Sequence, residues 1–540
     1  VLRDCFQRHV DRRFLINVLL LLLIHVFVAK EILIFGRFEW YFREIIFVNI
    51  LQMRLVQIFA ILVIALLAVN YIPFRYNRWH HQWNWSVFEH GIALRRLIMA
   101  VVLILTWSFA CYGFNYYYNQ PHYFDRLLLV FLAILVYINP IFVIPFTMIA
   151  YVISYQFSYP IGFSYTDKQL LFEFLVLFGS FVAVRPFIRG RTKDFIFIGL
   201  CMISAFYYFP GIEKLHVAAD SPLNWVLDNN LYHYVVFTYE KGWLSFRSQD
   251  LVYAMTDIFE FFRVPMQAFT VVVEIGALFT VLLKQRGTIA ILLLAVLLHT
   301  GIMVSSGIFF WKWIVLDVAM VWFVWRYGET EDIASIYRPI PIILSLLIIT
   351  SGTLFFRVSH LGWWNSAIHT YYKFDVIDTQ GDRYDFSYSL LQPYDFAITQ
   401  NRLHYINKNK TVTGTAGESS LETYLPSLSL TLEDIPDFIE EYGKVRYDSK
   451  TAERLRDLLR VYAYNFNTNH QSVFIPSIIP PPLHIGSQLF EDAYNFEYPI
   501  AEVQIRAIVS FYDGDEVQMI SDEMIESMPI TIPDNILNGQ

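Results

Sequence analysis

Charge and cysteine are what this chain has least of. Of its 540 residues only 16% are charged and three are cysteines. A soluble domain carries about 25% charged residues, so the shortfall excludes a chain that faces water on every side. Cys5, Cys111 and Cys201 lie far apart, which excludes a CxxC metal centre and a disulfide framework. Two of them sit in apolar runs and read as small buried hydrophobes. Nothing resembles the basic stripe of a nucleic-acid-binding protein. No metal is expected either, because His80, His81 and His90 crowd one short segment without ligand spacing.

What replaces charge is apolar and aromatic: 56% of residues are hydrophobic and 18% are Phe, Trp or Tyr. The charges that exist are unevenly placed. From Arg357 onward there are 26 acidic and 13 basic residues, net −13, whereas the part before carries net +5. A basic apolar portion followed by an acidic one fits a membrane domain over 1–356 and a water-soluble domain over 357–540.

A membrane-crossing helix needs about 17–25 apolar residues. Candidates are Phe14–Ala29, Leu55–Phe74, Leu97–Tyr118, Leu170–Val184, Phe195–Phe209, Pro265–Leu283, Thr288–Ile308, Trp311–Trp325 and Ile340–Phe356. The uncharged stretch Leu127–Thr166 is too long for one span, and Asn139-Pro140 supplies a turn. It divides into Tyr123–Ile138 and Ile141–Phe157, giving about eleven spans. With a cytoplasmic N-terminus, the basic segments Arg8–Arg13, Arg75–Arg96, Arg185–Lys193 and Lys284–Arg286 then share the cytoplasmic side. Pro210–Arg263 and everything after the last span become exoplasmic. The alternating aromatics and bases of Arg75–Gly91 read as a segment at headgroup level.

Beyond Arg357 the period changes. Tyr372–Ile377 and Asp385–Leu390 flank the turn Thr379-Gln380-Gly381-Asp382, and Ala501–Phe511 returns as Val517–Ile520 across Asp513-Gly514-Asp515. Both read as hairpins. Thr451–Tyr464 reads as an amphipathic helix with Leu455, Leu458, Leu459 and Tyr462 on one face. Pro476 and Pro480–Pro482 read as a stiff connection. The fold class expected is thus an all-α polytopic bundle followed by a soluble, β-rich α+β exoplasmic domain.

Ionisable groups within apolar spans are costly and therefore candidates for function. Glu274 and His299 are mid-span and read as partners, with Asp317 on the next helix. Glu173 and Lys312 lie near span ends and read as interfacial. Lys214 follows Pro210-Gly211, taken as the end of its helix. It reads as a boundary lysine beside Glu213, sheltered by Tyr207, Tyr208 and Phe209.

Gly211-Ile212-Glu213-Lys214-Leu215, then VVVEIGALFTVLL around Glu274, then LLLAVLLHTGIMVSSGIFFWKWIVLD around His299, resembles the vitamin K-dependent γ-carboxylase superfamily. Its bacterial members are the HTTM (horizontally transferred transmembrane) proteins. The likeness covers roughly Leu127–Trp325 and includes the Asn139-Pro140 turn. It implies that Lys214 is the base that deprotonates a vitamin K-like hydroquinone, with Glu274 and His299 as further catalytic groups. It also implies a quinone held near Tyr207, Tyr208 and Phe209, and an exoplasmic peptide as substrate. Glu213 stands where the carboxylases carry a first lysine. That difference keeps a second expectation open: a non-catalytic subunit anchoring an exoplasmic domain in a larger membrane complex.

Overall fold

The computed structural model describes residues 11–32, 45–52, 54–72, 81–111, 116–117, 119, 122–156, 166–216, 221–244, 248–359, 365–386, 391, 403–412, 427, 429–468 and 498–531. Cys5, His80, residues 387–390, Pro476 and Pro480–Pro482 lie outside the described residues.

Each of the eleven apolar stretches contains a helix among the described residues. They correspond to α1 (Arg12–Ile32), α2 (Arg54–Tyr71), α3 (Gly91–Ala110), α4 (Tyr123–Ile138), α5 (Val143–Gln156), α6 (Thr166–Ile188) and α7 (Thr192–His216). The next connection includes the short helix Asn224–Leu227, α8 (Tyr232–Glu240) and α9 (Gln249–Phe261), and after it come α10 (Arg263–Gly276), α11 (Lys284–Ser306), α12 (Trp311–Tyr327) and α13 (Pro339–Thr350). Five of these, α1, α3, α6, α7 and α11, are long and apolar enough to cross a membrane. Two bent pairs raise the number to seven: α9 with α10, bent by 71°, and Glu331–Tyr337 with α13, bent by 61°. Five to seven spans among the described residues is thus the count that length and composition support; α4 and α5, with 16 and 14 residues, fall below the usual span length.

The outward faces identify the solvent. Ile58, Ile61 and Ile64 on α2, and Leu127, Phe131, Ile134 and Ile138 on α4, are all exposed. Contiguous apolar faces of this kind are rare on proteins in water and are what lipid tails cover, so this is an integral membrane protein.

Asn139 does what its place before Pro140 suggests. Its carbonyl accepts from Ile141 N at 2.9 Å, and its amide donates to Tyr71 Oη at 2.6 Å and Asn84 Oδ1 at 3.3 Å. The chain turns there, and α5 packs back on α4. In the described part of the segment after α2, residues 81–91, Trp83 and Trp85 are buried, and their indole N–H groups donate to Val182 O at 2.8 Å and Val136 O at 3.0 Å. Buried indoles of this kind find a hydrogen-bond acceptor.

The basic segments gather at one end of the bundle. Arg185 donates to Gln82 O and Val87 O, Thr192 N to Glu89, and Arg191 and Lys193 reach Asp11. The opposite end carries a four-stranded antiparallel sheet in the order β2-β1-β3-β4, with β1 (Ile368–Asp378), β2 (Arg383–Asp385), β3 (Ile500–Tyr512) and β4 (Val517–Pro529). Both expected hairpins are present, β1–β2 around Gly381 with φ +90° and β3–β4. β1 also pairs with β3 along nearly its whole length. Between them in sequence come α14 (Ile435–Tyr442) and α15 (Ser449–Thr468). α15 buries Leu455, Leu458, Leu459 and Tyr462, the face its periodicity marks. One buried apolar cluster runs from α1 through the helices to β3.

Candidate functional site

α7 is the central helix. It packs against α1, α6, α10 and α13, and 83% of its apolar window is buried. Its sequence contains Pro210, yet the helix continues to His216, which corrects the expectation that Pro210-Gly211 ends it. The proline removes one backbone donor, and packing on both sides of the next turn outweighs that loss. Residues seven apart on a helix share a face, so Tyr207 and Lys214 line one stripe of α7 with Gly211 between them.

Gly211 is where α10 crosses. A Cβ there would lie 2.9 Å from Glu274 Cβ and 3.1 Å from Ile275 N, so only glycine admits this approach. The crossing brings Lys214 Nζ to 2.9 and 2.8 Å from the two Glu274 oxygens. The amine also donates to Pro210 O at 3.4 Å and lies 5.4 Å from the centre of the Trp225 ring. Trp225 is held over it by Gln267, whose amide donates to Trp225 O at 3.0 Å and Asn229 O at 2.5 Å. Gln267, Val271 and Glu274 are all buried on one face of α10. Lys214 is thus an enclosed residue with a partner 60 positions away, not a boundary lysine.

A second cluster sits two turns down the same stripe. Tyr207 Oη is 2.5 Å from Asp317 Oδ2, and His299 Nε2 is 2.9 Å from Tyr207 Oη. A phenol has one proton. When Tyr207 donates it to an ionised Asp317, the phenol oxygen must accept from His299, which sets the imidazole proton on Nε2. Trp313 packs edge-on against both rings, at 5.7 and 5.4 Å, and Phe310 lies 5.1 Å from His299.

Lys214 and Glu274 meet. His299 does not pair with Glu274, as expected, but joins Asp317 through Tyr207. Tyr208 and Phe209 point away from Tyr207, as 100° per residue requires. They pack on each other at 5.5 Å, and Phe209 fits against Gly352. Glu173 and Lys312 are both enclosed within the protein. Glu173 is buried and paired with His25 at 2.8 Å and Arg357 at 3.4 Å. Lys312 is buried and paired with Asp167 at 2.5 Å. Asp167, His25, Gln267 and Trp225 escaped the sequence reading. The spacing of Gln267 to Glu274, seven residues on a helix, was the one local signal available.

No family model, curated protein or solved structure matches this chain. The site therefore has to be interpreted on its own chemistry. Between the bent pair α9–α10 and α11 lies an apolar groove of about 300 Å³, lined by Phe259, Phe262, Phe269, Thr270, Leu298 and Ile302 among others. Thr270 is one turn from Glu274, and Leu298 adjoins His299. The groove runs beside the polar stripe; Lys214, Glu274 and His299 are not part of its lining.

Proposed function

We propose that this protein is a membrane-embedded acid–base enzyme of the γ-carboxylase-like (HTTM) superfamily, acting on an apolar hydroquinone. The observation that carries the reading is the Lys214–Glu274 pair, bidentate and enclosed on the central helix. An amine must be neutral to act as a base. Glu274 is positioned to take the Lys214 proton, which frees the amine to accept one from an acidic hydroxyl. The apolar groove beside it suits the isoprenoid-like body of such a substrate, and Tyr207, Asp317 and His299 offer a route for the proton. In this reading the end bearing the basic segments is cytoplasmic and the sheet is exoplasmic, where a peptide substrate would be met.

The test is to extract the purified protein and measure bound quinone by mass spectrometry in wild type and Lys214→Ala. Quinone present in the first and lost in the second is the expected result. Its absence from both overturns the reading.

One observation favours a second reading, a non-catalytic membrane subunit. Lys214, Lys312 and Glu173 each already have a counter-ion within the chain, and such pairs hold helices in register without any chemistry. That reading expects a larger assembly after gentle extraction, and an isolated monomer there removes it.

A further inference from the structure

The connection between α7 and α9 holds another buried amine, one that the proposed chemistry does not use. Lys241 follows the last residue of α8 and is 2% exposed. Lys214 and Lys312 each have a carboxylate within 3 Å. Lys241 has none among the described residues. Its partners are His369 Nε2 at 3.0 Å and the Trp243 ring at 4.8 Å. Neither is an anion.

His369 is fully buried near the start of β1 and stacks on Phe237 of α8, with ring centres 4.9 Å apart. The Lys241–His369 contact is therefore a place where the sheet is fastened to the helical part. Trp243 extends it to α11, where its carbonyl abuts Gly307, at φ +71°.

Burial pushes the Lys241 amine well below its ordinary value of 10.5. Burial, then Lys241 and His404, push His369 well below 6.5. The groups facing the pair do not compensate. Glu240, on the same segment, hydrogen-bonds Tyr371 of β1 and faces Lys373. His404, bonded to Tyr372 behind β1, is lowered to about 3, by burial first and then by Arg446 and Lys241. β3 presents Ser510 opposite His369. His233 of α8 faces Tyr512 at 5.8 Å and is lowered to about 4, chiefly by burial.

We propose that Lys241 and His369 form a proton-sensitive latch, closed while the two nitrogens share at most one proton and opened when acid supplies a second. The direction follows from linkage. Both groups bind protons less readily when the sheet is docked than when it is released, so release takes up protons and docking weakens as pH falls. Lys241 contributes to this from its ordinary value of 10.5 down to its depressed docked value, and His369 adds to it below 6.5. Each proton taken up makes opening about tenfold more favourable per pH unit.

Hydrogen–deuterium exchange of the full-length protein in nanodiscs tests this between pH 5 and 8, after correction for intrinsic rates. In wild type, protection of 232–244 and 368–378 should fall together as pH drops through about 6.5. His369→Phe, which keeps the stack on Phe237, should remove the loss below that value. Lys241→Met should tighten docking and flatten the slope above it. Protection that is constant from pH 5 to 8 in wild type overturns the latch. So does a Lys241→Met/His369→Phe double variant as pH-sensitive as wild type, which would assign the effect to His233 or His404. The readout needs no substrate, so it stands or falls separately from the enzymatic reading.

Discussion

The helical part and the sheet region place their charges differently. Among the helices, apolar side chains point outward, and ionic groups are drawn in and matched in pairs such as Lys214–Glu274 and Lys312–Asp167. In the sheet region α15 covers an apolar core, and charges form a ladder around the buried Asp375, whose arginine partners reach it from more exposed positions. There Arg383 and Arg506 bond Asp375, and Arg506 also bonds Asp522. The difference teaches that a buried charge means different things in the two places. In lipid there is no water to solvate an ion left without its partner, so pairing is obligatory. In the sheet region Arg383 and Arg506 are partly exposed and share Asp375, so neither is its sole partner.

The comparison is most strongly tested by cutting one buried pair. Lys214→Met alone, or Glu274→Gln alone, should cost about 3–5 kcal/mol, because each strands a buried polar partner. Lys214→Met with Glu274→Leu should recover most of that loss. Thermal unfolding in detergent measures all three, and a double variant no more stable than the singles would show that the pair is not the unit. Next in size is Leu458→Ala in α15, which should cost about 2–5 kcal/mol. Hydrogen exchange should place that loss in the sheet region and leave α7 protected. Uniform loosening throughout would mean that the two regions unfold as one.

Gly211→Val should follow, at about 1–3 kcal/mol for the forced separation of α7 and α10. Cysteine crosslinking between the two helices should report the separation directly. Tyr207→Phe leaves Asp317 and His299 without their shared hydroxyl and should cost about 1–3 kcal/mol in the same thermal assay. Smallest is Arg506→Ala near neutral pH, about 1 kcal/mol, because Arg383 remains as a partner of the buried Asp375 and replaces most of the lost charge-assisted hydrogen bonding.

Arg506 should matter more in acid. Burial raises the Asp375 carboxyl, but the hydrogen bonds from Arg506 and Arg383 outweigh burial and hold it below its ordinary 3.8. Such a depressed group stabilises the fold above 3.8 and loses that contribution as pH falls through its folded value. Arg506→Ala should therefore move the acid unfolding of the sheet to higher pH. A midpoint unmoved by the substitution would show that Arg383 alone holds Asp375.

Much of this was legible in the residues. Long apolar runs gave the helices, the Asn139-Pro140 turn split one run into α4 and α5, and two polar turns gave the hairpins. The α15 face could be read from Leu455, Leu458, Leu459 and Tyr462 because a helix repeats every 3.6 residues. The site was only half legible. Lys214, Glu274, His299 and Asp317 stood out as ions in apolar segments, which composition alone reveals. Their partners did not, since Lys214 meets Glu274 60 positions on, and Lys312 meets Asp167 145 positions back. Pro210 misled because local chemistry favoured a helix end, and packing against α10 decided otherwise.

The amino-acid sequence by itself determined the apolar, membrane-facing character of the helical part, the helices and hairpins, and which ions are expensive to bury. These follow from composition and from periods of two and 3.6 residues, which are properties of neighbours in the chain. Only the tertiary structure decided which ion meets which, that Gly211 is the crossing point, that β1 pairs with β3, and that Lys241 is left facing an imidazole. Those depend on where helices cross, and crossing is fixed by the fit of whole faces rather than by any local run of residues.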